Sequence, residues 1–156
     1  MSLDWGIITN IESSLEDFLT AQATVDAVDV QIRVGEKFDS NWALPTIQVY
    51  VDSKLKPRGE LGSNKRENKY IVIIEVRATN AFERANLADW AETSINNGFT
   101  YYSYSANLSD PDNPQRVSEG HADLDFISSG KVNLGDNVSE YDKWRYRISF
   151  RTWIPT

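Results

Sequence analysis

Cysteine is absent from the 156 residues, histidine and methionine occur once each, and no apolar run is long enough to cross a bilayer. Without cysteine there can be no disulfide framework, thiol nucleophile or thiolate metal site, and the composition suits a reducing compartment. The one histidine, His121, cannot form a two-histidine zinc site. It stands in no recognisable serine or cysteine motif, so it reads as the start of a strand rather than as an acid–base group. Neither a P-loop nor a dinucleotide-binding glycine cluster occurs. Basic residues are scarce at the beginning: residues 1–52 hold nine acids against two bases, whereas residues 53–156 hold fourteen of each. The whole net charge of −7 therefore sits in the first third. Such a chain is poorly suited to gripping nucleic acid, because phosphate contacts need lysine and arginine. It could still face DNA that slides past. Met1-Ser2-Leu3-Asp4 lacks the basic start of a secretory leader, and no apolar stretch follows. No membrane partner is expected.

What is present is a single domain over residues 1–156 with 40% apolar and 25% charged residues, enough for a real core. The longest apolar run, Tyr70-Ile71-Val72-Ile73-Ile74-Glu75-Val76, is rich in β-branched residues and continuous rather than alternating. It predicts a strand covered on both faces. Asn80-Ala81-Phe82-Glu83 reads as a capped helix start, with the helix running through Leu87, Ala88, Ala91 and Ile95 to Asn97-Gly98.

Upstream, Ile8, Ile11, Leu15, Phe18 and Leu19 recur at helical spacing over residues 3–22, with Glu12, Glu16 and Asp17 on the other side. Those acids form either a solvated face or a docking face for a basic patch on a neighbouring subunit. Val30, Ile32 and Val34, then Ile47, Val49 and Val51, alternate as two strands, expected to pair as an antiparallel hairpin with Phe38 and Trp42 at its tip. Lys54 to Lys69 is turn-rich and basic, carrying Lys54, Lys56, Arg58, Lys65 and Arg66. It is either a solvated loop or an element that orders on an acidic partner. Phe99 to Leu108 is β-type, Ser109–Pro114 breaks it, and Ala122–Phe126 resumes an alternating strand continued by Val132 and Leu134. The last strand places Trp144, Tyr146, Ile148, Phe150, Thr152 and Ile154 on one face, and Arg145, Arg147 and Arg151 on the other. A cross-strand charge ladder from Asp123 and Asp125 to those three arginines is expected.

Two further constellations bear on chemistry. Asp52 with Glu75-Val76-Arg77 invites comparison with metal-dependent nucleases, although Arg77 stands where a lysine is expected and Glu75 and Arg77 can simply pair. Asp110, Asp112 and Asn113 lack the glycine and terminal glutamate of a calcium loop, so a plain turn is expected. No catalytic, cofactor-binding or metal-binding residue is assigned.

The element order is helix, two strands, long basic loop, strand, helix, strand, long loop, two strands. With the last strand reading Tyr141-Asp142-Lys143-Trp144-Arg145-Tyr146-Arg147-Ile148-Ser149-Phe150, the chain resembles the tail terminator, or tail-completion, proteins of long-tailed bacteriophages, a group within the head–tail joining and neck proteins. The resemblance covers nearly the whole chain and rests on size, element order and the last strand. It implies an α+β fold, a mixed and mostly antiparallel sheet flanked by two helices, with long loops. It also implies a non-enzymatic virion protein, assembled in the bacterial cytoplasm and needing no cofactor. That protein forms a hexameric ring that caps the tail tube, ends its polymerisation and joins it to the head connector, while genomic DNA passes through the lumen. A different tail or neck subunit, of the tube or baseplate, is the alternative; a nuclease is a more distant one.

Overall fold

The computed structural model describes residues 6–55, 69–132, 134 and 138–155. In chain order the elements are α1 (Ile7–Val25), β1 (Gln31–Val34), β2 (Thr46–Leu55), β3 (Lys69–Arg77), α2 (Ala81–Ile95), β4 (Phe99–Ser105), β5 (Gln115–Val132), the single turn α3 (Glu140–Lys143) and β6 (Arg145–Trp153). The six strands form one sheet in the order β1-β2-β3-β6-β5-β4. Every pairing is antiparallel except β1 with β2. The fold is therefore α+β with a mixed, mostly antiparallel sheet.

β3 is the centre of this sheet, hydrogen-bonded to β2 on one side and β6 on the other. Its alternate residues Val72, Ile74 and Val76 are fully buried with Ile47, Val49, Ile148 and Phe150 of the adjoining strands. Ile11, Leu15 and Leu19 of α1 and Leu87, Ala91 and Ile95 of α2 complete the same apolar cluster. Both helices thus cover one face of the sheet. The second face of β3 is also buried at Ile73, Glu75 and Arg77, but by long side chains and the β1–β2 loop rather than by a helix.

α1 reaches both edges of the sheet, touching β4 at one end and β1 and β2 at the other. Six strands laid flat would span about 24 Å at the usual inter-strand spacing, while a helix is about 10–12 Å across. The sheet must therefore curl around α1. Polar groups inside the apolar stripe of α1 complete the closure: Asn10 accepts from Tyr104 N at 3.1 Å and Ser14 from Tyr102 N at 2.9 Å, occupying two amides on the outer edge of β4.

Three expectations change. β1 and β2 are parallel, Gln31 opposite Thr46 and Val34 opposite Val49, not an antiparallel hairpin. The eleven residues between them carry the chain back to the end of the sheet where it began, which a tight turn cannot do. Phe38 and Trp42 of that loop fold edge to face at 5.5 Å, with Phe38 beneath the Arg77 guanidinium at 4.3 Å, so the aromatic tip packs inward. α1 runs three residues further than expected, and Ile8 is 48% exposed rather than part of the core. β5 begins at Gln115, well before Ala122, because its first half is held by pairing with β4 and carries no apolar pattern to announce it.

α2 is capped as anticipated. Asn80 Oδ1 accepts from Glu83 N at 2.8 Å, and Glu83 Oε1 reaches back to Thr79 N at 2.9 Å. At its other end Gly98 has φ +86°, and a Cβ there would lie 2.2 Å from the Ala122 carbonyl oxygen. Backbone cannot move aside as a side chain can. Gly98→Ala should cost about 3 kcal/mol in urea unfolding, from a disfavoured φ plus this close approach. A cost below about 1 kcal/mol would show that the contact is relieved without penalty.

Candidate functional site

The uncovered face of the sheet carries a charged centre built on Glu75, which is 2% exposed. Registration sets Gln48, Glu75 and Arg147 side by side across β2, β3 and β6, with Thr46, Arg77 and Arg145 in the next row of that face. The Glu75 carboxylate accepts from Arg147 Nε at 2.8 Å and Nη2 at 2.5 Å, from Arg145 Nη2 at 2.5 Å and from the Tyr50 hydroxyl at 3.2 Å. Arg77 Nη2 lies 3.3 Å from the same carboxylate, and Arg77 also donates to Gln48 Oε1. Asp142 of α3 approaches Arg77 Nε at 3.6 Å and accepts from Arg145 Nη1 at 3.4 Å. Burial alone would raise the Glu75 pKa, but hydrogen bonds and charge from Arg147 and Arg145 outweigh it and hold the group below the usual carboxylate range. Burial and the neighbouring Arg145 lower that of Arg77 despite its two acids.

This centre replaces the expected ladder. Asp123 lies opposite Trp153, while Arg145 and Arg147 lie opposite Val132 and Gly130; only Asp125 and Arg151 are register partners. Both arginines turn to the other neighbour of β6, where Glu75 offers a desolvated acceptor. A carboxylate in the longest apolar run was the signal: buried there, it must be paired. It also removes Glu75 as a metal ligand, since four donor groups already occupy it, and Asp52 is exposed on β2. Among the described residues no group of three or more potential ligands could hold a metal ion.

The acids of α1 divide three ways. Glu12 accepts from Val51 N at 3.1 Å, an amide beside the irregularity between Val51 and Ser53. Asp17 accepts from the Tyr104 hydroxyl at 2.5 Å and from Arg116 at 2.9 Å, and the Tyr104 hydroxyl is held well above its ordinary pKa by burial and by that carboxylate. Glu16 has neither hydrogen bond nor ion pair among the described residues. It lines a cleft of about 610 Å³ between the two curled edges of the sheet, together with Asp17, Val34, Tyr104, Asp112 and Arg116. Burial, then the Asp17 charge, raises the Glu16 pKa, against the attraction of the Arg33 charge. The acidic face is thus two internal anchors and one unpaired group.

Of the basic excursion, Lys54 is exposed with its ammonium 5.8 Å from the Tyr70 ring centroid. Lys56, Arg58, Lys65 and Arg66 lie outside the described residues. His121 sits within β5, not at its start; its Nε2 meets the Asn97 carbonyl at 2.6 Å and lies 3.7 Å from Asp123. Asp110 and Asn113 close a turn on each other at 2.8 Å. No protein-family model and no curated protein sequence matches the chain.

Because the folded Glu75 pKa lies below its unfolded value, the charged form stabilises the fold above about pH 4.5 and that contribution is lost as pH falls toward the folded value. Glu75→Gln should cost about 3–5 kcal/mol near neutral pH, leaving three arginines without their counter-charge. It should also flatten the acid limb of the stability curve. Urea midpoints measured across that range check both; an unchanged acid limb would mean that other carboxylates govern it.

Proposed function

We propose that the protein is a structural subunit of a bacteriophage tail or neck, forming a closed ring that caps the tail tube, ends its polymerisation and joins it to the head connector. The reading keeps the tail-terminator resemblance of size, element order and last strand, now carried on an α+β fold with a mostly antiparallel sheet.

Glu16 carries the argument for self-association. It is a partly buried carboxylate with no hydrogen bond or ion pair among the described residues, in a cleft lined by two further acids, Asp17 and Asp112, and one base, Arg116, with Arg33 of β1 the other positive charge that acts on it. On the uncovered sheet face, by contrast, Arg151 is exposed and Arg147 is half-exposed. A ring requires one patch of a subunit to meet a different patch on the next, and patches of opposite sign select that head-to-tail contact over contact between like patches. Lys54, with Lys56, Arg58, Lys65 and Arg66, supplies a second basic stretch for the same purpose or for a neighbouring ring. Net negative charge keeps a lumen from binding passing DNA. The chemistry of Glu75 favours this reading over hydrolysis, since its carboxylate is consumed by arginines.

Native mass measurement should give a closed hexamer that arrests growing tail tubes. Reversing Lys54, Lys56, Arg58, Lys65 and Arg66 to Glu together, or Glu16→Lys alone, should yield folded monomers. A wild-type protein that stays monomeric at high concentration, or that polymerises into open tubes, would overturn the ring; reversal without effect would overturn the charge-matched contact.

A further inference from the structure

Asn97-Gly98 is the one asparagine–glycine pair in the sequence, and it forms the junction between α2 and β4. Such a pair can deamidate without a catalyst. The glycine nitrogen loses its proton and attacks the asparagine side-chain carbon, and ammonia leaves. Water then opens the resulting five-membered succinimide to aspartate or isoaspartate. Glycine permits the attack because no side chain shields its nitrogen. Asn97 is exposed, and its side-chain amide makes no hydrogen bond among the described residues.

The peptide group that must react is nonetheless held on both sides. Its N–H, on Gly98, donates to the Ile95 carbonyl at 2.8 Å, and its carbonyl, on Asn97, accepts from His121 Nε2 at 2.6 Å. Ile95 and Phe99, flanking the junction, are fully buried, so the segment is anchored at both ends. Phe99 is the register partner of Ala122, which leaves a Cβ at Gly98 only 2.2 Å from the Ala122 carbonyl oxygen. Ring closure has to swing the Gly98 nitrogen onto the Asn97 side chain. That breaks the bond to Ile95 and turns a peptide group clamped by His121. Reaction therefore requires the junction to open first, and its rate follows the population of the open form.

We propose that Asn97 is a deamidation site latched by the fold, with His121 as the positioning residue that keeps the latch closed. The site does not rest on ring formation. Its modification is lasting, because the product does not fit the closed junction. Isoaspartate routes the main chain through its own β-carbon and so adds a methylene between residues 97 and 98. Gly98, at φ +86° and packed on Ala122, has no slack to absorb it. Either product also places a new carboxylate at the C-terminal end of α2, where the helix dipole disfavours negative charge. Asp123 is a second acid nearby, its carboxylate 3.7 Å from His121 Nε2. The chain's one histidine thereby acquires a role, guarding a single peptide bond.

The test incubates the full chain in warm, mildly alkaline buffer, both folded and unfolded in guanidinium chloride. Proteolysis and mass spectrometry then follow the peptide containing residue 97, with its aspartate and isoaspartate forms separated by chromatography. The folded wild type should deamidate about tenfold or more slowly than the unfolded chain, and His121→Ala should stay folded yet react several-fold faster than the wild type. Native-state hydrogen exchange gives a readout independent of the chemistry: the Gly98 amide should be protected, and exchange faster in His121→Ala by the same factor. Isolated deamidated protein should melt below the wild type. Deamidation as fast in the folded protein as in guanidinium would overturn the latch, and Asn97 surviving intact in guanidinium would overturn the site. Unchanged deamidation and unchanged Gly98 protection in His121→Ala would overturn the role of His121.

Discussion

One carboxylate ties the centre of this fold together. Glu75 stands on the middle strand with its charge removed from water, and Arg145, Arg147, Arg77 and Tyr50 converge on it from three strands. A buried ion pair adds little net stability over an apolar substitute, because desolvation offsets most of the attraction. What it does supply is register. Slipping β6 by one residue against β3 would turn its arginines to the apolar face and leave Glu75 alone in the interior. The salt-bridged centre therefore specifies the pairing that the apolar face of β3 only permits.

The rest of the architecture follows from how a curled sheet is finished. Both helices pack on the concave face, so the convex face must bury its central strand without a helical layer. It does so with guanidinium groups and with Phe38, whose ring lies under Arg77. On the concave side the cost of curvature is two sheet edges brought near one helix, and α1 meets it with polar groups: Asn10 and Ser14 bond the outer amides of β4, and Glu12 bonds an amide left beside the irregularity in β2. The cleft holding Glu16 is the gap that remains between those edges. The cleft is thus a by-product of the way the sheet closes.

Opposite-signed regions in one small chain arise by the same route. Acids sit on the helix that plugs the curl, and arginines sit on the face that has no helix. The Glu75 carboxylate, the one comparable with a metal ligand, is occupied by donors.

Much of this was legible in the residue order. The β-branched run at Tyr70–Val76, the cap at Asn80 with Glu83, the stop at Gly98 and the alternating last strand each act locally, through propensity, capping and periodicity, and each is where it was expected. The pairing of Glu75 with Arg77 was likewise a short-range matter. What the sequence could not determine was which strand each charge would meet. Arg145 and Arg147 had Asp123 and Asp125 on the strand just before them, yet register and desolvation gave them Glu75, seventy residues or more away along the chain. The parallel setting of β1 beside β2 and the internal use of Glu12 and Asp17 were also decided in three dimensions. Periodicity records which way a side chain points relative to its neighbours in sequence; the partner it meets depends on sheet order and curvature, which no local pattern encodes.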